Sequence, residues 1–185
     1  MIEVDPLLED YREVYGNMTL ATDRSALVNL ARRACRVLEI GINEGATARL
    51  LLDNCAGIES YMGIDVPPDF VTELAIQQPE VTVQPGRWVK DDPRVEIILR
   101  PTQFITSKDI SERDFAFIDA DHSAAGVERD TTLSRACVKR GVIVWHDYRT
   151  DEPPTEVNFV LDRWVDAGAP IFHIKGTWIA FEMIA

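Results

Sequence analysis

Short apolar runs alternate with stretches of helical periodicity along most of this 185-residue chain. The apolar runs predict strands at residues 37–41, 60–65, 94–99, 114–119 and 142–146. The helical stretches predict helices at 45–55, near 69–77, at 123–139 and at 155–167. Near the end of the chain, strands at 170–174 and 177–184 meet at Lys175-Gly176, which predicts a hairpin.

Strands that alternate with helices indicate a mostly parallel sheet covered on both faces. We therefore predict an α/β fold, a Rossmann-like, doubly wound and mostly parallel seven-stranded sheet with a C-terminal antiparallel hairpin. The length fits one domain over residues 1–185, with an N-terminal helical segment, 1–34, before a core of 35–185.

The N-terminal segment has helical periodicity over residues 5–34, broken near Gly16-Asn17. Either Thr22 or Asp23 is suited to cap its second helix. The apolar face of that helix would carry Leu27, Leu30, Ala31 and Ala34. Prolines and a glycine between residues 79 and 93 predict an irregular loop there.

Composition limits the classes of partner. The net charge of −12 argues against a nucleic-acid partner, because such binding depends on clustered Lys and Arg. No apolar run approaches the roughly 20 residues that span a bilayer, and the acidic N-terminus does not resemble a signal peptide. The chain has three widely spaced cysteines, Cys35, Cys55 and Cys137. An odd number at this spacing favours a reduced, cytoplasmic protein.

The first predicted strand leads into a turn that contains Gly41 and Gly45. Glycine allows unusual backbone geometry and close approach, and a helix start offers free N–H groups to an anion. The spacing is Glu-x-Gly-x-x-x-Gly, not the Gly-x-Gly-x-x-Gly of dinucleotide binders. Asp65 ends the next strand about 20 residues later, where a carboxylate can bind ribose hydroxyls. The alternatives are tight packing for the glycines and a solvated strand end for Asp65.

The residues at two later strand ends indicate more specifically which class of protein this is. They read Ile118-Asp119-Ala-Asp121-His122-Ser and His146-Asp147-Tyr148. Together with the glycine turn, they resemble the class I S-adenosylmethionine-dependent methyltransferases. The resemblance runs from about residue 21 to 185 and is to the small-molecule O-methyltransferase branch, which includes the catechol O-methyltransferases and methyltransferase family 24.

The resemblance implies S-adenosylmethionine as cofactor and residues 35–185 as the catalytic core. Residues at four strand ends would then contact the cofactor: Glu39, Gly41, Asn43, Gly45, Thr47, Asp65, Thr102, Gln103 and Asp119. Within this set Asp65 would bind the ribose, and Thr102-Gln103 would lie beside the adenine. For Thr102-Gln103 the alternative is an ordinary polar loop.

The resemblance also implies a divalent cation, Mg²⁺ or Mn²⁺, held by Asp119, His146 and Asp147. His146 departs from the catechol enzymes, which have an Asp there, and imidazole suits Mn²⁺, Fe²⁺ or Zn²⁺ better than Mg²⁺. The alternative is a hydrogen-bonded His–Asp pair that orients the substrate. His122 and His146 are the catalytic candidates, and His122 stands where the catechol enzymes have a basic lysine. A histidine there can accept a hydroxyl proton; the alternative for His122 is a surface residue.

We therefore expect transfer of a methyl group from S-adenosylmethionine to an oxygen of a small molecule. Two alternatives stay open, a NAD-dependent oxidoreductase and a cofactor-binding module without catalysis. We expect a small-molecule substrate and neither a nucleic-acid nor a membrane partner. The sequence identifies neither the acceptor nor the oligomeric state, and a homo-oligomer stays open.

Overall fold

A computed structural model describes residues 20–72, 78–150 and 153–185. Within them, seven strands form one sheet in the order β3-β2-β1-β4-β5-β7-β6. In chain order the strands are β1 Arg36–Ile40, β2 Ser60–Asp65, β3 Val95–Leu99, β4 Arg113–Ile118, β5 Val138–Trp145, β6 Ile171–His173 and β7 Ala180–Ile184. The α-helices of the described residues are α1 Ala21–Ala31, α2 Ala46–Asn54, α3 Ala124–Cys137 and α4 Glu156–Asp166.

The sheet confirms the predicted fold class. Strands β1 to β5 pair in parallel, β7 runs antiparallel to β5, and β6 pairs antiparallel with β7. The strand order reverses its direction between β1 and β4. Ligands of doubly wound sheets bind at such a switch point, beyond the carboxyl ends of the strands.

Each face of the sheet is covered by helices. Helices α1 and α2 pack through Leu27 and Leu51 with the β-strand residues Val37 and Phe117. On the other face, α3 and α4 pack with a second set of strand residues that includes Leu38, Ile118 and Trp145. Because alternate residues of these central strands point to opposite faces, the strands are apolar almost throughout.

Some element bounds differ from the prediction. Strand β5 begins at Val138, directly after α3, because Val138 already pairs with Arg113 before a register shift. Residues 69–72 are not helical, and the rest of the helix predicted near 69–77 lies largely outside the described residues. Residues 5–19 of the predicted N-terminal helical segment also lie outside the described residues. None of the helices in the described ranges has the length and apolar content needed to cross a bilayer.

Candidate active site

The first part of the site is the glycine turn, residues 41–45, between β1 and α2. Gly41 and Gly45 have φ angles of 91° and 87°, in the region that favours glycine. A Cβ on Gly41 would overlap the carbonyl oxygen of Asp119. Gly41 therefore allows the end of β1 to lie directly against the end of β4.

Asp65 fixes the shape of this turn. One carboxylate oxygen accepts a hydrogen bond from the Asn43 N–H at 2.6 Å, and the other accepts one from the Val66 N–H at 2.7 Å. The first bond holds Asn43 at its positive φ of 47°. Burial raises the pKa of Asp65, although the two N–H groups act against it. The carboxylate is thus oriented at the end of β2, where a ribose contact is predicted.

Gly45 lies against the loop within residues 79–93. A Cβ on Gly45 would lie 3.0 Å from Val89 Cγ2 and 3.2 Å from Gly86 Cα. The Gly86 N–H also donates to the Asn43 carbonyl at 2.7 Å, and the Trp88 N–H donates to Glu44 at 3.0 Å. The loop within residues 79–93 therefore packs closely against Gly45, and the contact of Gly45 with the cofactor stays a prediction.

Glu39 lies within strand β1, one residue before the strand ends. It is 1% exposed, and its Oε2 accepts a hydrogen bond from the Tyr61 hydroxyl at 2.7 Å. Burial raises the pKa of Glu39 well above its usual range, and the bond from Tyr61 only partly offsets this. The pairing with Tyr61 gives Glu39 a structural task beside its predicted contact with the cofactor.

The other predicted cofactor residues lie at the same end of the sheet. Thr47 is buried in the first turn of α2. Thr102 and Gln103 begin a 3₁₀ turn after β3, and the Thr102 hydroxyl accepts a hydrogen bond from Arg129 Nε at 3.1 Å. This turn and α3 line a cavity of about 550 Å³.

The second part of the site is the acid–imidazole cluster, which consists of Asp119, His122, His146 and Asp147. Asp119 follows β4, whereas His146 and Asp147 follow β5. His146 Nδ1 lies 3.6 Å from Asp119 Oδ1 and 3.4 Å from Asp147 Oδ2. One ligand atom from each of these three residues lies within 4.8 Å of the others. The structure thus brings together the three residues predicted to hold a cation.

These three residues fit a divalent cation. Ligand atoms bound to one ion at about 2.0–2.2 Å lie roughly 3.0–3.5 Å from one another. The two separations from His146 Nδ1, 3.4 and 3.6 Å, are close to that spacing. The donor set is two carboxylates and one imidazole, which suits Mn²⁺, Fe²⁺ or Zn²⁺.

His122 lies beside both carboxylates, with Nε2 at 3.4 Å from Asp119 Oδ1 and 3.0 Å from Asp147 Oδ2. Burial acts to lower the pKa of His122, but the hydrogen bonds to the two carboxylates outweigh it and raise the pKa to about 10. In this arrangement the ring keeps its proton at neutral pH. His122 therefore belongs to the cluster, and its role as a base stays a prediction. Proton acceptance would require that the two carboxylates stabilise the imidazolium less strongly than they do here.

The pKa of His146 is also raised. Burial acts to lower it, whereas the Asp119 charge and hydrogen bonds to its acidic neighbours raise it well above its usual range. The carboxylates respond in the opposite direction: burial raises the pKa of Asp119 and Asp147, yet the two imidazoles hold both pKa values well below their usual range. The cluster is therefore a tightly balanced set of opposite charges.

Asp147 is fixed by its own neighbours. Its φ of 60° is unusual for a residue other than glycine. Oδ1 accepts a hydrogen bond from Arg149 Nε at 2.9 Å, and the Asp147 carbonyl accepts one from the Thr155 hydroxyl at 3.0 Å. The Arg149 guanidinium in turn lies 4.0 Å from the ring centre of Trp178. These contacts turn Oδ2 toward the two histidines.

Sequence reasoning missed Asp23. It was considered as a cap of α1, but the N-cap is Leu20 and no side chain caps this helix. Asp23 is instead fully buried, and its Oδ2 lies 3.1 Å from His146 Nε2. One signal was present in the sequence, because Asp23 precedes Leu27 by four residues and so shares the apolar face of the helix.

Comparisons with known proteins identify the family of this chain and solved structures with the same fold. A family model described as a methyltransferase domain matches residues 38–148. A comparison with curated protein sequences finds no significant match.

Several solved structures share the architecture. The Podospora anserina methyltransferase PaMTH1, solved with S-adenosylhomocysteine, aligns at a TM-score of 0.64 and 16% identity over 97% of this chain and 88% of its own. The O-methyltransferase TomG of tomaymycin synthesis from Streptomyces achromogenes, in complex with S-adenosylmethionine, aligns at 0.58 and 17% over 100% and 92%. The methyltransferase MycE of mycinamycin biosynthesis, in complex with Mg, S-adenosylhomocysteine and mycinamycin VI, aligns at 0.62 and 17% over 97% and 54%. At these identities the likeness concerns the fold.

Proposed function

The chain belongs to the methyltransferase-domain family, and from this we propose that it transfers the methyl group of S-adenosylmethionine to an oxygen of a small molecule, with a divalent cation at Asp119, His146 and Asp147. The observation that carries the proposal is the acid–imidazole cluster beside the glycine turn. The cluster offers cation ligands and a titratable ring at the strand ends where an acceptor would meet the cofactor.

The cofactor supplies a methyl group on a sulfonium, which a nucleophile can take directly. The chain's task toward it is to bind and orient. The start of α2, at Ala46 to Ala48, has free helix N–H groups that would bind the carboxylate of the methionine part. Asp65, already oriented by Asn43 and Val66, has further lone pairs for the ribose hydroxyls. Thr102 and Gln103 would border the adenine.

Asp119, His146 and Asp147 would hold the cation and thereby place the acceptor. A cation bound there lowers the pKa of a hydroxyl and fixes its direction. Holding the acceptor oxygen and the methyl group in line converts an encounter between two molecules into a reaction within one complex. The imidazole of His146 favours Mn²⁺, Fe²⁺ or Zn²⁺ over Mg²⁺ in this site.

His122 would remove the acceptor's proton. Its Nε2 faces the carboxylates of Asp119 and Asp147, which keep the ring protonated. When those carboxylates are occupied as cation ligands, they no longer stabilise the imidazolium to the same extent. The neutral ring is then available as a general base next to the acceptor hydroxyl.

The net charge of −12 supports a small-molecule acceptor over a nucleic acid. A non-catalytic cofactor module is the second candidate, and the cluster argues against it, because cofactor binding alone does not need four charged groups around one point.

The decisive experiment is calorimetric titration of the purified chain with S-adenosylmethionine, S-adenosylhomocysteine and NAD. We expect the first two to bind and NAD to give no heat; binding of NAD alone would overturn the proposal in favour of an oxidoreductase. Release of S-adenosylhomocysteine is then measured with a panel of catechols and hydroxylated sugars, before and after chelation. Cofactor binding without turnover on any acceptor would favour the non-catalytic module.

A further inference from the structure

Asp23 lies on helix α1 and contacts His146 of the acid–imidazole cluster, whose own residues follow strands β4 and β5. Its side chain is 0% exposed, and both carboxylate oxygens are in use. Oδ2 lies 3.1 Å from His146 Nε2, and Oδ1 accepts a hydrogen bond from the Trp178 backbone N–H at 3.0 Å. A buried carboxylate is expensive unless it is fully hydrogen-bonded. The hydrogen bond to His146 therefore helps to offset the free-energy cost of burying Asp23, and it joins residues that are 123 positions apart in sequence.

His146 is held so that its two ring nitrogens face different groups. Nε2 faces Asp23, and Nδ1 faces Asp119 and Asp147 at 3.6 and 3.4 Å. The ring is 7% exposed and lies between the rings of Phe117 and Trp178, with centroid distances of 6.2 and 5.9 Å. It therefore has little room to rotate and exchange the two nitrogens.

A histidine that binds a cation is neutral. A neutral imidazole carries one proton, and the hydrogen bond at one nitrogen determines which nitrogen keeps it. A carboxylate can only accept, so Asp23 retains the proton on Nε2. The lone pair is then on Nδ1, which is the nitrogen that faces Asp119 and Asp147. Carboxylates that fix a histidine in this way also raise its basicity as a metal ligand.

We propose that Asp23 is a positioning residue that fixes the Nε2–H tautomer of His146 and so directs Nδ1 to the cation held with Asp119 and Asp147. The inference rests on the proposed function, since it requires a cation at those residues. It assigns helix α1 a part in cation binding. It also connects the β6–β7 hairpin to the site, because Trp178 holds the other oxygen of Asp23.

The variant Asp23→Asn tests the tautomer directly. Its amide oxygen can keep the bond from the Trp178 N–H, which leaves the NH₂ group facing His146 Nε2. An NH₂ group donates, so the ring would carry its proton on Nδ1 and present no lone pair to the cation. The matched control is Ala26→Gly, which weakens the same buried helix through backbone entropy without touching His146.

The probe is Co²⁺, followed by calorimetry and by its visible absorption in the full chain, with Zn²⁺ for NMR of the histidine ring nitrogens. We expect wild type to bind Co²⁺ and to show the Nε2–H tautomer of His146 in the Zn²⁺ form. Asp23→Asn should bind Co²⁺ about 10–100-fold more weakly, as for other partners of metal-bound histidines. Its absorption spectrum should change, and its affinity for S-adenosylhomocysteine should stay at the wild-type value.

The outcomes separate the two proposals. If Asp23→Asn binds Co²⁺ with wild-type affinity and spectrum, Asp23 does not position His146, and the proposed function is unaffected. If Ala26→Gly weakens Co²⁺ binding as much as Asp23→Asn does, the role is structural and the inference is overturned. If wild type binds S-adenosylhomocysteine but no Co²⁺, Mn²⁺ or Zn²⁺, the cation site and the positioning role both fail.

Discussion

The glycine turn and the acid–imidazole cluster lie at the same end of the sheet but are built differently. The turn is shaped by backbone conformation, with two glycines at positive φ and N–H groups held by Asp65 and by neighbouring carbonyls. The cluster is shaped by charged side chains at the ends of β4 and β5 that balance one another.

This difference predicts different responses to substitution. A backbone-shaped turn loses affinity gradually when one contact is removed, since its other contacts stay. A balanced charge cluster is disturbed throughout when one charge is removed, because each remaining group loses a partner. Variants of the cluster should therefore abolish turnover and spare cofactor binding, whereas variants of the turn should weaken cofactor binding or stability.

The largest effect is expected for Asp147→Asn. Asn tolerates the positive φ at this position but removes a carboxylate from the proposed cation site. Turnover should fall to the level that wild type shows after chelation, while calorimetry gives a nearly unchanged affinity for S-adenosylhomocysteine. Activity that survives exhaustive chelation, with no metal found by elemental analysis, would instead support the hydrogen-bonded His–Asp pair.

The second largest loss of turnover is expected for His122→Ala. Loss of a positioned general base lowers turnover by about 10²–10⁴-fold. The pH profile of turnover should lose the limb that belongs to His122, and the cofactor affinity should change little. Near-normal turnover in this variant would indicate that His146 removes the proton and that His122 is a surface residue without a catalytic role.

Asp65→Ala tests the other half of the comparison. It removes the acceptor for the Asn43 N–H and the predicted partner of the ribose, so binding of S-adenosylhomocysteine should weaken by roughly 1–3 kcal/mol. Asp69→Ala is the matched control, because it removes the same charge from an exposed position four residues away. Equal losses in the two variants would show that the effect is one of charge and not of the turn.

The smallest effect is expected for Gly45→Ala, measured as stability in urea. A side chain in the left-handed region costs roughly 1–2 kcal/mol, and a Cβ here also presses on Val89 and Gly86. Gly168→Ala is the matched control, since Gly168 has a φ of 96° and nothing within 4 Å of an added Cβ. Gly45→Ala should therefore be the less stable of the two. If it is equally stable but loses cofactor affinity, the Cβ faces the ligand after all.

The order of apolar and polar residues along the chain is enough to predict the sheet and the local features at its strand ends. Apolar runs located strands within one or two residues for β1 to β4, because alternation and apolar length are properties of neighbouring positions. Gly41 and Asp65 were identified at strand ends for the same reason. The residues Asp119, His122, His146 and Asp147 were chosen through short motifs and a family resemblance, not through any pattern that places them side by side.

Which side chains come into contact depends on how the strands and helices pack. The strand order puts β1 between β2 and β4, so the ends of β4 and β5 come together beside the glycine turn. Asp23 reaches His146 across 123 residues, and the loop at Gly86 and Val89 reaches Gly45. The pKa of His122 likewise depends on two carboxylates from different strands. Periodicity reports which face a residue is on, whereas distance and burial follow from the packing of elements that are remote in sequence.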